Sequence, residues 1–214
     1  MTYIPAQFLE TDPVRLRALM EAHPLAVLIT SGAGGTHVSH VPLHFDPSPA
    51  PHGRLIGHLA RANPQATGTD TAVEVIAVFT GVDAYVSPSA YASKREHGKV
   101  VPTWNYAAVY AHGQIRFLDE ADTAHDVVSQ LTDTHEARRA DPWAVTDAPG
   151  DYVAATLRAI RAFEIVLTRI EGKWKMSQNR SEADRDGVIS ALGHGDDRDR
   201  AVHDEMRRLY PDAG

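Results

Sequence analysis

Apolar residues recur along this chain with two periods, and the places where one gives way to the other define its elements. Leu16, Leu19 and Met20 fall at helical spacing. Thr11 or Asp12 is placed to cap that helix, Pro13 suits its first turn, and Pro24 closes it after His23. Leu25 to Thr30 is a short apolar run and predicts a strand, which Gly32-Ala33-Gly34-Gly35 turns back into Thr36 to Phe45. Along that second strand His37, Ser39, Val41 and Leu43 share one side. Val38, His40 and Pro42 share the other, and Pro42 demotes its surroundings to an edge or a bulge. After a Pro-rich loop from Asp46 to Gly53, strands are predicted at Arg54 to Ala60, Val73 to Thr80 and Ala84 to Ser87. Arg61 to Gln65 reads as a short polar turn, and Gly81-Val82-Asp83 as a tight connection.

The run from Val100 to Phe117, rich in Val, Tyr and Trp and bounded by Gly98 and Asp119, is the stretch around which the chain is organised. Thr103, Trp104, Asn105 and Tyr106 set hydroxyl, indole, amide and phenol groups side by side. Strand neighbours alternate in direction, so two of the four can line a pocket that suits a planar, polar-edged ligand. The plainer alternative makes Trp104 and Tyr106 core aromatics with satisfied polar tips. The preceding loop, Ser89 to Gly98, carries Lys94, Arg95 and His97, with Lys99 just after. It is either a solvated charge run or a clamp for an anionic ligand.

Beyond Asp119 the pattern predicts a helix over Ala121 to Glu136, on Ala124, Val127, Val128 and Leu131. A loop follows from Asp141 to Gly150, with Trp143 as a packing anchor, and then a helix from Asp151 to Ala162. Phe163 to Ile170 is a strand, Glu171-Gly172-Lys173 a turn, and Trp174-Lys175-Met176 a short return. Ser177-Gln178-Asn179-Arg180 stands just before a helix opened by the capping-box pattern Ser181-Glu182-Ala183-Asp184. With Lys175 and Arg180 nearby, that position is either an anion seat or a plain cap, since Glu182, Asp184 and Asp186 already complement the helix end. Val202, Met206, Leu209 and Tyr210 predict an amphipathic helix over Asp199 to Tyr210, docked on the body or on a partner chain.

At 214 residues with 43% hydrophobic content the chain suits one large domain or a domain with a small appendage. The absence of Cys excludes a disulfide framework, a thiolate metal site and a cysteine nucleophile. A formal charge of −7 argues against a broad nucleic-acid surface. No apolar run reaches the ~20 residues of a membrane span, and the N-terminus lacks the order of a secretory signal, so a cytoplasmic protein is expected. The twelve His are scattered without a ligand pair, and no metal site is expected. Short strands with inserted helices, no regular βα alternation and no G-x-G-x-x-G or P-loop pattern argue against a Rossmann-type sheet. They leave an antiparallel barrel or sandwich with peripheral helices.

The motifs Tyr3-Ile4-Pro5, His23-Pro24-Leu25, Ser39-His40-Val41-Pro42-Leu43, Gly57 to Gln65 (GHLARANPQ), Ala84 to Ser89 (AYVSPS), His97 to Tyr106 (HGKVVPTWNY) and Gly172 to Arg180 (GKWKMSQNR) occur in this order. In order and spacing they resemble the PaiB-like family of FMN-binding split-barrel proteins, often labelled negative transcriptional regulators. The resemblance reaches about Leu192. It implies an α+β fold, an antiparallel split β-barrel with peripheral helices over residues 1–192, with a tail helix over 193–214 outside the match. It also implies a homodimer with FMN in a groove at the subunit interface. His58, Arg61 and Asn63 then belong to the phosphate side, and Thr103, Trp104 and Asn105 to the ring side, the Asn105 amide facing the isoalloxazine. Lys175, Gln178, Asn179 and Arg180 complete the pocket, in part from the partner chain.

Two positions depart from the family. Ala90-Tyr91 stands where Trp-Tyr is usual, which either opens space above the flavin or removes a substrate contact. Ser39 stands where Asn or Thr is common. The resemblance implies a flavin-dependent oxidoreductase or flavin-state sensor, with no catalytic side chain assigned, although His40 and Tyr106 are conceivable acids or bases. A PaiB-type transcriptional regulator is the alternative; without a helix-turn-helix signature or basic recognition helix it would act indirectly. A haem-binding or haem-degrading split barrel is the third reading.

Overall fold

The computed structural model describes residues 2–212, and the terminal residues of the ranges 1–192 and 193–214 fall outside that description. Eight strands form one sheet: β1 (Leu9–Glu10), β2 (Leu25–Gly32), β3 (Gly35–Pro42), β4 (His44–Asp46), β5 (Arg54–Ala60), β6 (Val75–Val86), β7 (Thr103–Leu118) and β8 (Ile160–Lys175). Their order is β3-β2-β6-β7-β8-β5-β4, with β1 added on β8. Among the described residues the helices are α1 (Pro13–Ala22), α2 (Pro64–Gly68), α3 (Ser93–Glu96), α4 (Ala121–Glu136), α5 (Gly150–Leu157), α6 (Glu182–Gly193) and α7 (Asp197–Leu209). The class is α+β, and the pairings of β1 with β8, β2 with β3 and β6, and β5 with β4 and β8 are antiparallel.

By internal contacts the chain divides into two compact units, one of Met1–Leu16, Thr80–Val109 and Glu171–Gly214, the other of Arg17–Phe79 and Tyr110–Ile170. In the second unit β2 and β3 pair from Leu25↔Pro42 to Gly32↔Gly35, the register that the Gly-rich turn predicts. Alternation holds as read: Val41 and Leu43 are buried, while Val38 and His40 face outward. Leu28, Leu55, Phe79, Phe163 and Ile165 are fully buried. Ala124, Val127 and Leu131 of α4 pack on Ala162, on the face that the helical period marks. In the first unit α6 packs against α7 and against the single turn Pro88–Ala90. Val188, Ile189, Val202 and Met206 are buried, each worth about 1.5–3 kcal/mol of transfer free energy.

Several boundaries differ from the sequence reading, each for a local reason. Arg61 to Gln65 is not only a turn, because the Asn63 side chain accepts from the Gln65 N–H and caps α2. Gly81-Val82-Asp83 does not interrupt the chain, and β6 runs unbroken from Val75 to Val86. Glu171-Gly172-Lys173 likewise stays within β8. Gly172 pairs with Glu10, and a Cβ there would meet Leu16 Cδ2 at 2.3 Å, so this glycine serves close packing and not a reversal. The helix expected to reach Ala162 stops at Leu157, and β8 begins at Ile160. Trp143 is no packing anchor, being about half exposed.

Candidate functional site

The ten residues singled out above fall into two sets, one in each unit. In the first unit the head of β7, the end of β8 and the turn from Met176 to Arg180 bring seven of them together. Lys175 Nζ donates to Thr103 Oγ1 at 2.5 Å and to the Trp104 carbonyl. Gln178 braces the turn: its Oε1 accepts from the Met176 N–H at 2.7 Å, and its Nε2 donates to Trp174 O at 2.5 Å. The Arg180 guanidinium carbon sits 4.6 Å from the centre of the Tyr91 ring. Asn179 is exposed.

Asn105 lies where a ligand-facing amide does not. It has no solvent exposure, and its Nδ2 donates to Ser177 Oγ at 3.0 Å and lies 3.4 Å from Met206 Sδ. Ser177 Oγ returns a bond to Asn105 Oδ1 at 3.3 Å. Ser177 has φ +65°, the left-handed region that β-carbons disfavour, and among the described residues no other non-glycine has positive φ. Asn105 therefore holds a strained turn in place, and backbone strain of this kind collects at functional loops.

The charges of this turn are one-sided. The Lys175 ammonium is held below the ordinary lysine range by burial first, then by the Lys173 and Arg180 charges. Lys173, only 9% exposed, donates to Tyr3 O at 3.0 Å and lies 5.4 Å from the ring centres of both Tyr3 and Tyr106. Beneath Arg180, burial would raise the Asp184 carboxyl, but bonds from the Ser93 N–H and hydroxyl, from Ser181 and from the Arg180 charge hold it below the ordinary range. On the surface of this unit Trp104 is 46% exposed, in edge contact with Tyr85 at 5.9 Å and under Arg198, which is paired with Asp83. Trp104 is thus a surface aromatic, not a core one, whereas Tyr106 is half-buried under Lys173.

The second unit holds the other set. His58 on β5 is half-buried, and burial keeps its imidazole below the ordinary value, hence neutral near pH 7. Arg61 is exposed, with Nε and Nη2 donating to the carbonyls of Arg158 (3.2 Å) and Ile160 (2.9 Å), which fixes one edge of its guanidinium. Asn63, besides capping α2, donates from Nδ2 to Ser39 Oγ at 3.0 Å, so the departure at Ser39 keeps a hydroxyl that this bond uses. His40 is exposed, and no group of His, Asp and Glu suited to a metal ion occurs among the described residues. Ala90 is half-buried, and its carbonyl faces Gly187 of α6.

Sequence reasoning did not single out Lys173 or Tyr91 for this site, and it took Ser177 only as part of the stretch before the helix. Lys173 was legible in principle, since continuing β8 through Gly172 puts Lys173 and Lys175 on one face. Nothing in the sequence marks Ser177 as left-handed. A phosphorylated, planar cofactor fits the donor set of the first unit: cations with no ion pair among the described residues, beside an exposed indole and a hydroxyl.

Residues 2–169 match the family described as "Putative FMN-binding domain". The chain belongs to this family. A relative from Bacillus subtilis, "Protease synthase and sporulation protein PAI 2", is 30% identical over 89% of this chain and 88% of its own length. An uncharacterized protein of Emericella nidulans is 33% identical over 89% of this chain and 90% of its own. Among solved structures, the FAD and heme binding protein from Mycobacterium smegmatis superposes with a TM-score of 0.57 at 17% identity, covering 86% of this chain and 79% of that one. The flavocytochrome Anf3 from Azotobacter vinelandii gives 0.56 at 13% identity, over 81% and 72%. The fold is the antiparallel split barrel of the PaiB-like FMN-binding proteins, and FMN is the cofactor that family membership assigns. The motif from Gly172 to Arg180 lies beyond the span of the family match. No helix among the described residues is long and apolar enough to cross a membrane.

Proposed function

We propose that this chain is a flavin-dependent oxidoreductase that binds FMN and works as a cytoplasmic homodimer. One observation carries the reading: in a member of an FMN-binding family, the turn from Lys175 to Arg180 sets cations without carboxylate partners against Thr103 and the exposed Trp104. A phosphate and a flat, polar-edged ring system call for that combination. Thr103 and Trp104 bound the ring side, Lys175 and Arg180 supply positive charge, and Asn105 with Gln178 keeps the turn in shape from behind. His58, Arg61 and Asn63 offer a second set of donors, with the Arg61 guanidinium pre-oriented by its two carbonyl bonds. When bound, FMN supplies hydride or electron transfer, and the protein's part is to bind it, orient it and limit water. Half-exposed Tyr85 and Trp104 support burial of this face against a second copy.

Purification tests the proposal directly. The protein is expected to carry FMN or to take it up, to cycle that flavin between oxidised and reduced forms with an added reductant and acceptor, and to elute at twice the mass of one chain. A protein that neither retains nor binds added FMN refutes it.

A further inference from the structure

Lys173 and Lys175 share a face of β8, and Arg180 follows five residues later in the turn. Each is held by uncharged groups: Lys173 by Tyr3 O and the rings of Tyr3 and Tyr106, Lys175 by Thr103 Oγ1 and Trp104 O, Arg180 by the Tyr91 ring. Asp184 interacts with Arg180 at a distance but gives both oxygens to Ser93, at 2.9 Å each, and Glu171 stands on the same face of β8 as Lys173 and Lys175. Among the described residues none of the three cations has an ion pair, although the chain as a whole carries −7. Four arginines of this unit, by contrast, are matched. Arg15 pairs with Glu10 and Glu205, Arg208 with Glu205, Arg198 with Asp83 and Arg200 with Asp197.

The half-buried Lys175 ammonium is disfavoured by its loss of water and by the like charges of Lys173 and Arg180. An arriving oxyanion relieves both. The Tyr91, Tyr3 and Tyr106 rings leave the cations without a protein counter-charge and ready for a ligand. We infer that Lys173, Lys175 and Arg180 form an oxyanion seat that takes the phosphate or carboxylate group of a bound ligand. The inference deepens the FMN reading by naming the chemical group this turn receives, yet the seat is testable without flavin.

Inorganic phosphate is the probe, titrated into the flavin-free full chain and followed by amide and side-chain NMR shifts around Thr103 and Met176 to Arg180. Wild type is expected to bind saturably. Lys175→Met and Arg180→Met should weaken phosphate by about tenfold or more, the loss of one charged hydrogen bond. Lys175→Arg restores the charge and should restore binding, and Arg139→Met, a surface cation beside Glu136, leaves it unchanged. Absence of saturable shifts in wild type, or phosphate binding by both Met variants as tight as that of wild type, overturns the seat. The ratio of FMN to riboflavin affinity then gives the source of the oxyanion. A ratio that collapses in Lys175→Met identifies FMN's own phosphate, and one that persists identifies an anionic substrate. Phosphate binding in a chain that takes neither flavin keeps the seat and removes the FMN reading.

Discussion

Ser177 joins two opposing effects, and substituting it separates them. Its hydroxyl exchanges contacts of 3.0 and 3.3 Å with the Asn105 amide, at a site where Ser177 is 3% exposed and Asn105 fully buried. Removing the hydroxyl leaves Asn105 Oδ1 without its donor and Nδ2 with only the Met206 sulfur, a cost of about 1–3 kcal/mol for buried polar groups. The backbone at φ +65° adds a second term. Alanine retains the left-handed penalty of about 1–2 kcal/mol, whereas glycine removes it but gives back roughly 0.4–1 kcal/mol by loosening the unfolded chain. Ser177→Ala is therefore expected to lose about 1–3 kcal/mol, and Ser177→Gly to be the more stable of the two variants by about 0.5–1 kcal/mol. Urea unfolding of the three proteins, with unchanged m-values, measures both differences. If Ser177→Ala equals or exceeds Ser177→Gly in stability, the strained turn is not a property of the molecule. If neither variant loses stability, the Asn105 contact contributes nothing.

Two further expectations concern the same unit. A Cβ on Gly187 would stand 2.1 Å from the Ala90 carbonyl, a backbone atom that cannot step aside, so Gly187→Ala should cost about 1–3 kcal/mol in urea unfolding as α6 is pushed off the Pro88–Ala90 turn; an unchanged midpoint contradicts that packing. The Asp184 carboxyl is depressed in the folded state, so its contribution is fully present above the ordinary Asp value and is lost as pH falls through the folded one. The acid loss of stability should then be shallower in Asp184→Asn, which is less stable at neutral pH, and an unaltered acid slope refutes the assignment.

What the sequence made legible followed from periodicity. The strand from Arg54 to Ala60 and the helix from Ala121 to Glu136 occur with the predicted ends, because their apolar positions repeat without interruption. Errors came where a residue has two physical uses. Gly81 and Gly172 were read as turn formers, yet Gly172 is glycine because Leu16 and Glu10 crowd it, and that neighbour is distant in sequence. Trp143 was read by its size, but size alone does not say which side of a loop faces inward. The site was legible as residue types around Thr103 to Asn105 and Lys175 to Arg180. The inward turn of Asn105 was not, since it depends on Ser177 and on Met206, a hundred residues away.

The last helix changes how the end of the chain is to be regarded. Glu205 of α7 accepts from the Trp174 indole and from Arg15, and Met206 touches the amide that steadies the turn. A protease cutting ahead of Asp197, or a splice or frameshift that replaces the final helix, would not trim an ornament. It would loosen the turn that carries Lys175 and Arg180, so the shape of the proposed seat and the integrity of the final helix stand or fall together.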